Sequence, residues 1–269
     1  MRQIKMILLV LSSVIMSNFS VKSHEKEDVL FCYGKLKAQS IVGYKYVVLE
    51  AKHYTKSEIA TIKKNNVHVL AYISLGEINA HSEHYKMLKD NTLGKNENWN
   101  SHYLDLSSNK TVVALMLIIK DLMNDGYDGL FLDNIDNFST FGKQKEHKEY
   151  LIKFLSKLRK EYPKLFFLQN AGLDIVDDTN KFVDAVAIES VATNYTFNDK
   201  KYKLRDEEDY KKYITKLKNI NNKYSLPIIL IEYADTKKLH DAIVKRISST
   251  GFSFFIGKID LQTLPKYTK

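Results

Sequence analysis

Gly126-Tyr127-Asp128-Gly129-Leu130-Phe131-Leu132-Asp133-Asn134-Ile135-Asp136 is the stretch that decides the fold. A glycine closes the amphipathic segment before it, a short apolar run follows, and three polar side chains end it. That is the pattern of a helix stop, a strand covered on both faces, and a loop that carries chemistry. Seven further short runs share this character: Val29 to Tyr33, Tyr46 to Glu50, Val67 to Ser74, Leu165 to Gln169, Ala185 to Glu189, Pro227 to Glu232 and Phe252 to Ile256. Amphipathic stretches lie between them, at Ser57 to Asn65, Val112 to Asn124, Lys145 to Glu161, Glu207 to Asn222 and Lys237 to Ser249. In the third, Tyr150, Phe154, Leu155 and Leu158 read as one apolar helical stripe. Thr55 before Glu58 has the form of a capping box. Eight strands alternating with helices predict a single-domain (β/α)8 TIM barrel of the α/β class. The segment Ile78 to Asp105, polar and rich in Asn, breaks the rhythm. It is expected to be a long loop after the third strand, with a short extra strand at His102 to Leu106.

The chain begins with Arg2 and Lys5, an apolar run from Met6 to Met16, and polar residues to Ser23. This is the pattern of an export signal over residues 1–23, leaving 24–269 as the barrel domain, about the size such a barrel needs. The apolar run is too short to span a bilayer, so a secreted or periplasmic protein without stable membrane insertion is expected, and a monomer. The net charge of +9 resides mostly in lysines scattered over helices, without an Arg-rich stripe, so nucleic acid is not the expected partner. Cys32 is the single cysteine and sits in an apolar run, which makes it a core residue. His81 and His84 lack an evident third ligand, no phosphate-binding Gly-rich loop is present, and neither metal nor other cofactor is expected.

Active sites of such barrels form where the strands end. Here the ends are acidic or amide: Glu50, Glu77, Asp133 with Asn134 and Asp136, Asn170, Glu189 and Glu232. Carboxylates following buried strands are costly to desolvate, so their clustering implies a wet cleft or paired charges. Paired carboxylates are also what glycosidic bond cleavage requires, one as acid and the other as nucleophile or base. Tyr33, Tyr72, Tyr195 and Tyr233 are candidate sugar-stacking or hydroxyl-donating residues.

Four segments carry a resemblance: Ala71 to Glu77, Gly126 to Asp136, Ile188-Glu189-Ser190 and Ile231-Glu232-Tyr233. In order and spacing they resemble the signature blocks of glycoside hydrolase family 114, barrel proteins associated with endo-α-1,4-polygalactosaminidase activity. The resemblance implies Asp133 and Glu189 as the catalytic carboxylates acting on an α-linked galactosamine or galactose-type polysaccharide. By analogy with retaining α-galactosidase-type barrels, Asp133 takes the nucleophile's place and Glu189 the acid/base's. Glu77, Asn134, Asp136, Asn170, Glu232, Tyr72, Tyr33 and Tyr233 are then the expected substrate-binding residues. Two departures stand close to the site, Glu189-Ser190-Val191 for the family's Glu-Gln-Cys and Gln169-Asn170 for its Lys-Asn. They leave open a carbohydrate-binding barrel that has lost turnover.

Overall fold

The computed structural model of the protein describes residues 28–264, and the export signal expected over residues 1–23 lies outside them. Eight parallel strands follow one another around a barrel in chain order. They are β1 (Val29–Cys32), β2 (Tyr46–Leu49), β3 (His68–Ser74), β4 (Gly129–Asp133), β5 (Phe166–Asn170), β6 (Ala185–Glu189), β7 (Ile228–Tyr233) and β8 (Ser253–Gly257). The seam between β8 and β1 is closed by Ser253 Oγ donating to Asp28 at 3.0 Å and by the Tyr33 N–H donating to the Leu261 carbonyl at 2.7 Å.

Five longer helices cover the barrel: α1 (Lys56–Lys63), α2 (Asn109–Asn124), α3 (Lys148–Glu161), α4 (Glu207–Tyr224) and α5 (Lys237–Ile247). The Thr55 capping box is formed with both of its hydrogen bonds. On α2 the buried side chains Thr111, Ala114, Leu115, Ile118, Ile119 and Leu122 repeat at helical spacing. On α3 the inner stripe is Leu151, Phe154, Leu155 and Leu158, while Tyr150 is exposed. The stripe expected from sequence is thus corrected by one position, because Leu151 lies three residues before Phe154 and shares its face.

Register sets which side chains enter the barrel, since partners across parallel strands face the same way and neighbours along a strand alternate. Phe31 packs edge-on to Phe131 at 5.2 Å and tilted against Phe255 at 5.9 Å, filling the centre. Tyr72 pairs with Phe131, Ser74 with Asp133, Asn170 with Ala187, Ile231 with Glu189, and Tyr233 with Gly257. All of these therefore face inward, and the upper layer of the interior is polar where the lower layer is aromatic.

Two excursions rise from this end of the barrel. The first, after β3, is a three-stranded antiparallel sheet of Glu77–Asn79, Thr92–Asn96 and Ser101–Leu104, with a short helix at Tyr85–Leu88. This replaces the long loop expected there, and the extra strand begins one residue earlier than expected. The second, unforeseen from the sequence, is a hairpin of Thr193–Thr196 and Lys201–Leu204 after β6.

The β4–β5 contact is close enough that a Cβ on Gly129 would stand 1.8 Å from the Phe166 carbonyl oxygen. Only backbone displacement relieves such a clash, so Gly129→Ala should cost about 3 kcal/mol or more in urea unfolding. A loss below roughly 0.5 kcal/mol would mean that the strands are not packed as described.

Candidate active site

The strand ends gather Tyr33, Tyr72, Asp133, Asn170, Glu189 and Tyr233 into one inward-facing cluster. Asp133 Oδ2 accepts from the Tyr72 hydroxyl at 2.9 Å. The Asn170 amide nitrogen donates to Asp133 Oδ1 and to Glu189 Oε1, each at 2.8 Å. Glu189 Oε2 accepts from the Tyr233 hydroxyl at 2.5 Å. Tyr33 leans on the Tyr72 ring with centroids 4.9 Å apart. Asn170 is buried and its Oδ1 meets no donor of the protein.

Burial raises both carboxyls above their ordinary range. For Asp133 this is opposed by hydrogen bonds from Asn170, the Asn134 backbone N–H and Tyr72. For Glu189 burial is reinforced by the charge of Asp133 and opposed by Tyr233 and Asn170. Asp133 thus has three donors holding its charge against the negative charge of Glu77, whereas Glu189 has two donors against that of Asp133, so the two acids differ in the number of donors that favour the charged form. The hydroxyls of Tyr33, Tyr72 and Tyr233 are pushed well up by burial and then by these same carboxylates, which keeps them as donors.

The chain leaves three consecutive strands through left-handed residues: Asn134 (φ 59°) after Asp133, Ala171 (φ 58°) after Asn170 and Ser190 (φ 57°) after Glu189. For Ala171 and Ser190 this conformation costs about 1–2 kcal/mol each. Backbone strain next to two cluster residues, Asn170 and Glu189, is characteristic of functional sites. The Ser74 hydroxyl donates to Asn134 Oδ1 at 2.6 Å, so the Asn134 side chain braces the turn while its N–H supports Asp133. Asp136 is exposed at the rim, and its carboxyl is raised by the surrounding protein and then by Asp133.

Two expected sugar ligands stand elsewhere. Glu232 alternates with Tyr233 along β7, points out of the barrel and is fully buried. Its oxygens accept from the backbone N–H groups of Val191 (3.0 Å), Ala192 (2.8 Å) and Thr193 (2.9 Å) and from the Thr193 hydroxyl (2.6 Å). Burial nevertheless pushes it up to about 7. Glu77 is also buried, and its carboxylate takes donors from Asn96, Ser101 and Asn137, the last at 2.9 Å. Each carboxylate is spent on its own chain: Glu232 holds the loop behind Glu189, and Glu77 ties the first excursion to the loop behind Asp133. Ser74, Asn137 and Thr193 were not singled out from sequence, because hydroxyls and amides of this kind are common and their partners lie far away in the chain.

Among the described residues, no three His, Cys, Asp or Glu side chains converge as a metal site, and no helix is long and apolar enough to cross a membrane. His81 instead lies 3.4 Å from the Asn100 amide, and Cys32 is buried in β1.

Comparison with known proteins agrees with this geometry. The glycoside hydrolase domain of PelA from Pseudomonas aeruginosa superposes with a TM-score of 0.78 at 24% identity, over 88% of this chain and 96% of that one. Ega3 from Aspergillus fumigatus, solved in complex with galactosamine, gives 0.63 at 18% identity, over 87% and 90%. The α-galactosidase TtGalA from Thermus thermophilus gives 0.58 at 11% identity, over 90% and 59%. At these identities the likeness is one of fold, a TIM barrel. No curated protein matches the chain. The profile of glycoside-hydrolase family GH114 matches residues 28–269, and the chain therefore belongs to that family.

Proposed function

We propose that the protein hydrolyses an α-linked, galactosamine-type polysaccharide with retention of configuration, Asp133 serving as nucleophile and Glu189 as acid/base. The observation that carries this reading is the shared amide of Asn170. Two contacts of 2.8 Å from one nitrogen keep the nearest oxygens of Asp133 and Glu189 within about 5.6 Å, twice that distance, and this closeness supports a covalent glycosyl intermediate. In the first step an Asp133 oxygen forms a bond to the anomeric carbon while Glu189 passes its proton to the departing glycosidic oxygen. In the second, Glu189 takes a proton from water, the water oxygen bonds to the same carbon, and the ester to Asp133 breaks.

The substrate class rests on membership of GH114 and on the galactosamine complex of Ega3. A protonated amino sugar also suits a mouth whose inward and rim groups include Asp133, Glu189 and Asp136. Tyr33 and Asp136 are assigned to sugar contacts, while Asn170, Glu77, Glu232 and Asn134 are assigned to positioning. The export-signal pattern of residues 1–23 supports a site of action outside the cytoplasm. The rival reading is a carbohydrate-binding barrel without turnover, and the intact donor set around both carboxylates favours the enzyme.

Asp133→Asn and Glu189→Gln should each lower kcat on galactosamine polymers by about 10²-fold or more while leaving the Kd for polymer within a few-fold. NMR of the first-formed product should show the α-anomer. Retention of more than about a tenth of the activity at either position removes that residue from the chemistry.

The two tyrosines separate the roles through the pH profile. Each donates to the charged form of its acid, so removing the hydroxyl raises that acid. In Tyr72→Phe the acid limb of kcat/KM, set by ionisation of Asp133, should move up and narrow the bell. In Tyr233→Phe the alkaline limb, set by loss of the Glu189 proton, should move up and widen it. Exchanged effects would exchange the assignments.

Glu232 supports the site through stability. Its folded value of about 7 exceeds the ordinary 4.5, so the folded state binds the proton more tightly. The resulting stabilisation is present in full below about 4.5 and is lost as pH rises through about 7. Glu232→Gln should flatten this part of the stability–pH curve. It should also destabilise the fold by about 1–3 kcal/mol, since the new NH2 meets backbone donors. An unaltered curve would show that Glu232 does not titrate there.

A further inference from the structure

The two excursions meet at their tips. Trp99, in the turn between Asn96 and Ser101, packs edge-to-face on Phe197 of the second hairpin, with centroids 5.4 Å apart and planes at 89°. Phe197 in turn meets Tyr195 at 5.1 Å and 88°, and Tyr195 meets Tyr202, its register partner, at 4.8 Å. The excursions spring from β3 and β6, so their contact spans the arc of the mouth formed by β4 and β5. That arc holds Asp133 and Asn170, and Glu189 stands at its end.

This row is not a buried core. Trp99 is 54% exposed and Phe197 60%, although each touches another ring. In an edge-to-face pair one ring spends an edge and the other a single face, so the remaining faces stay open to solvent. Both roots are firmly held. Asn96 and Ser101, which flank the Trp99 turn, bind Glu77 and through it Asn137, while the Trp99 carbonyl accepts from Asn79 at 2.9 Å. The second hairpin is pinned by Thr193 on Glu232 and by the Tyr202 hydroxyl, which accepts from the Ile259 N–H at 3.3 Å. Two buried carboxylates thus anchor a pair of excursions whose outermost residues are uncovered aromatic faces, beside a cleft for a chain of sugars. Flat aromatic faces bind the C–H faces of pyranose rings, and a rigid platform does so at little ordering cost.

We propose that Trp99 and Phe197 form a sugar-stacking platform that binds the polymer several units from the bond being cut, giving this barrel a preference for long chains. This rests on the hydrolase reading above, and the two can be tested apart. Trp99 is the only tryptophan in the chain, so its fluorescence reports on the platform alone. Full-length Asp133→Asn protein, titrated with galactosamine oligomers of increasing length, should show a blue shift and protection from acrylamide quenching. These should appear only with oligomers long enough to reach from the carboxylates to the tips.

In the active protein, Trp99→Ala should raise KM for polymer about five-fold, leave kcat/KM for the shortest cleaved oligomer within about two-fold, and be rescued by Trp99→Phe. Hydrolysis of the polymer with unshifted emission and an unchanged KM in Trp99→Ala overturns the platform and leaves the hydrolase reading standing. A fall in melting temperature with equal losses on short and long substrates also overturns it, the pair then being a strut between the hairpins. An emission response without hydrolysis by the unsubstituted protein keeps the platform and removes the hydrolase reading.

Discussion

Two carboxylates held a few ångströms apart above an aromatic interior repel each other and have lost most of their water, and the upper half of the barrel answers that constraint. One amide, that of Asn170, donates to both acids. Tyr72 and Tyr233 take the outer oxygens from opposite sides. Without these donors, burial and mutual repulsion would drive both acids to their neutral forms, and neither nucleophile nor proton carrier would be defined. Unequal donor sets separate the pair, with one more hydrogen bond on Asp133 than on Glu189.

Holding that cluster requires expensive features around it. Non-glycine residues take the left-handed conformation after Asn170 and Glu189. Glu232 is fully buried in order to receive three backbone N–H groups of the loop that follows Glu189. Glu77 does comparable work on the other side, with side-chain donors in place of backbone ones. These acids belong to the same signature blocks as the cluster, yet their oxygens serve architecture as hydrogen-bond acceptors. The excursions they hold carry the aromatic row above the mouth, so the buried anchors and the exposed rings form one continuous construction from β3 and β7 outward.

The eight strands, most helix positions and the placement of Asp133 and Glu189 at strand ends were legible in the sequence, because each depends on local pattern. A short apolar run ended by a carboxylate reads as a buried strand with a polar tip, and the observed bounds of β4 and β6 are those expected from Gly129 to Asp133 and Ala185 to Glu189. Alternation along a strand is local too, and it separates Glu232 from Tyr233 once the strand's facing is known. That facing is set by register with β6 and β8, a property of neighbours distant in sequence. Hence only the tertiary structure placed Tyr233 on Glu189 and turned Glu232 away. The same holds for the Asn170 bridge, the carboxylate spacing it enforces, the sheet within Ile78 to Asp105, and the contact of Trp99 with Phe197. Each joins residues on different strands or excursions, and their meeting follows from barrel closure, which no local pattern encodes.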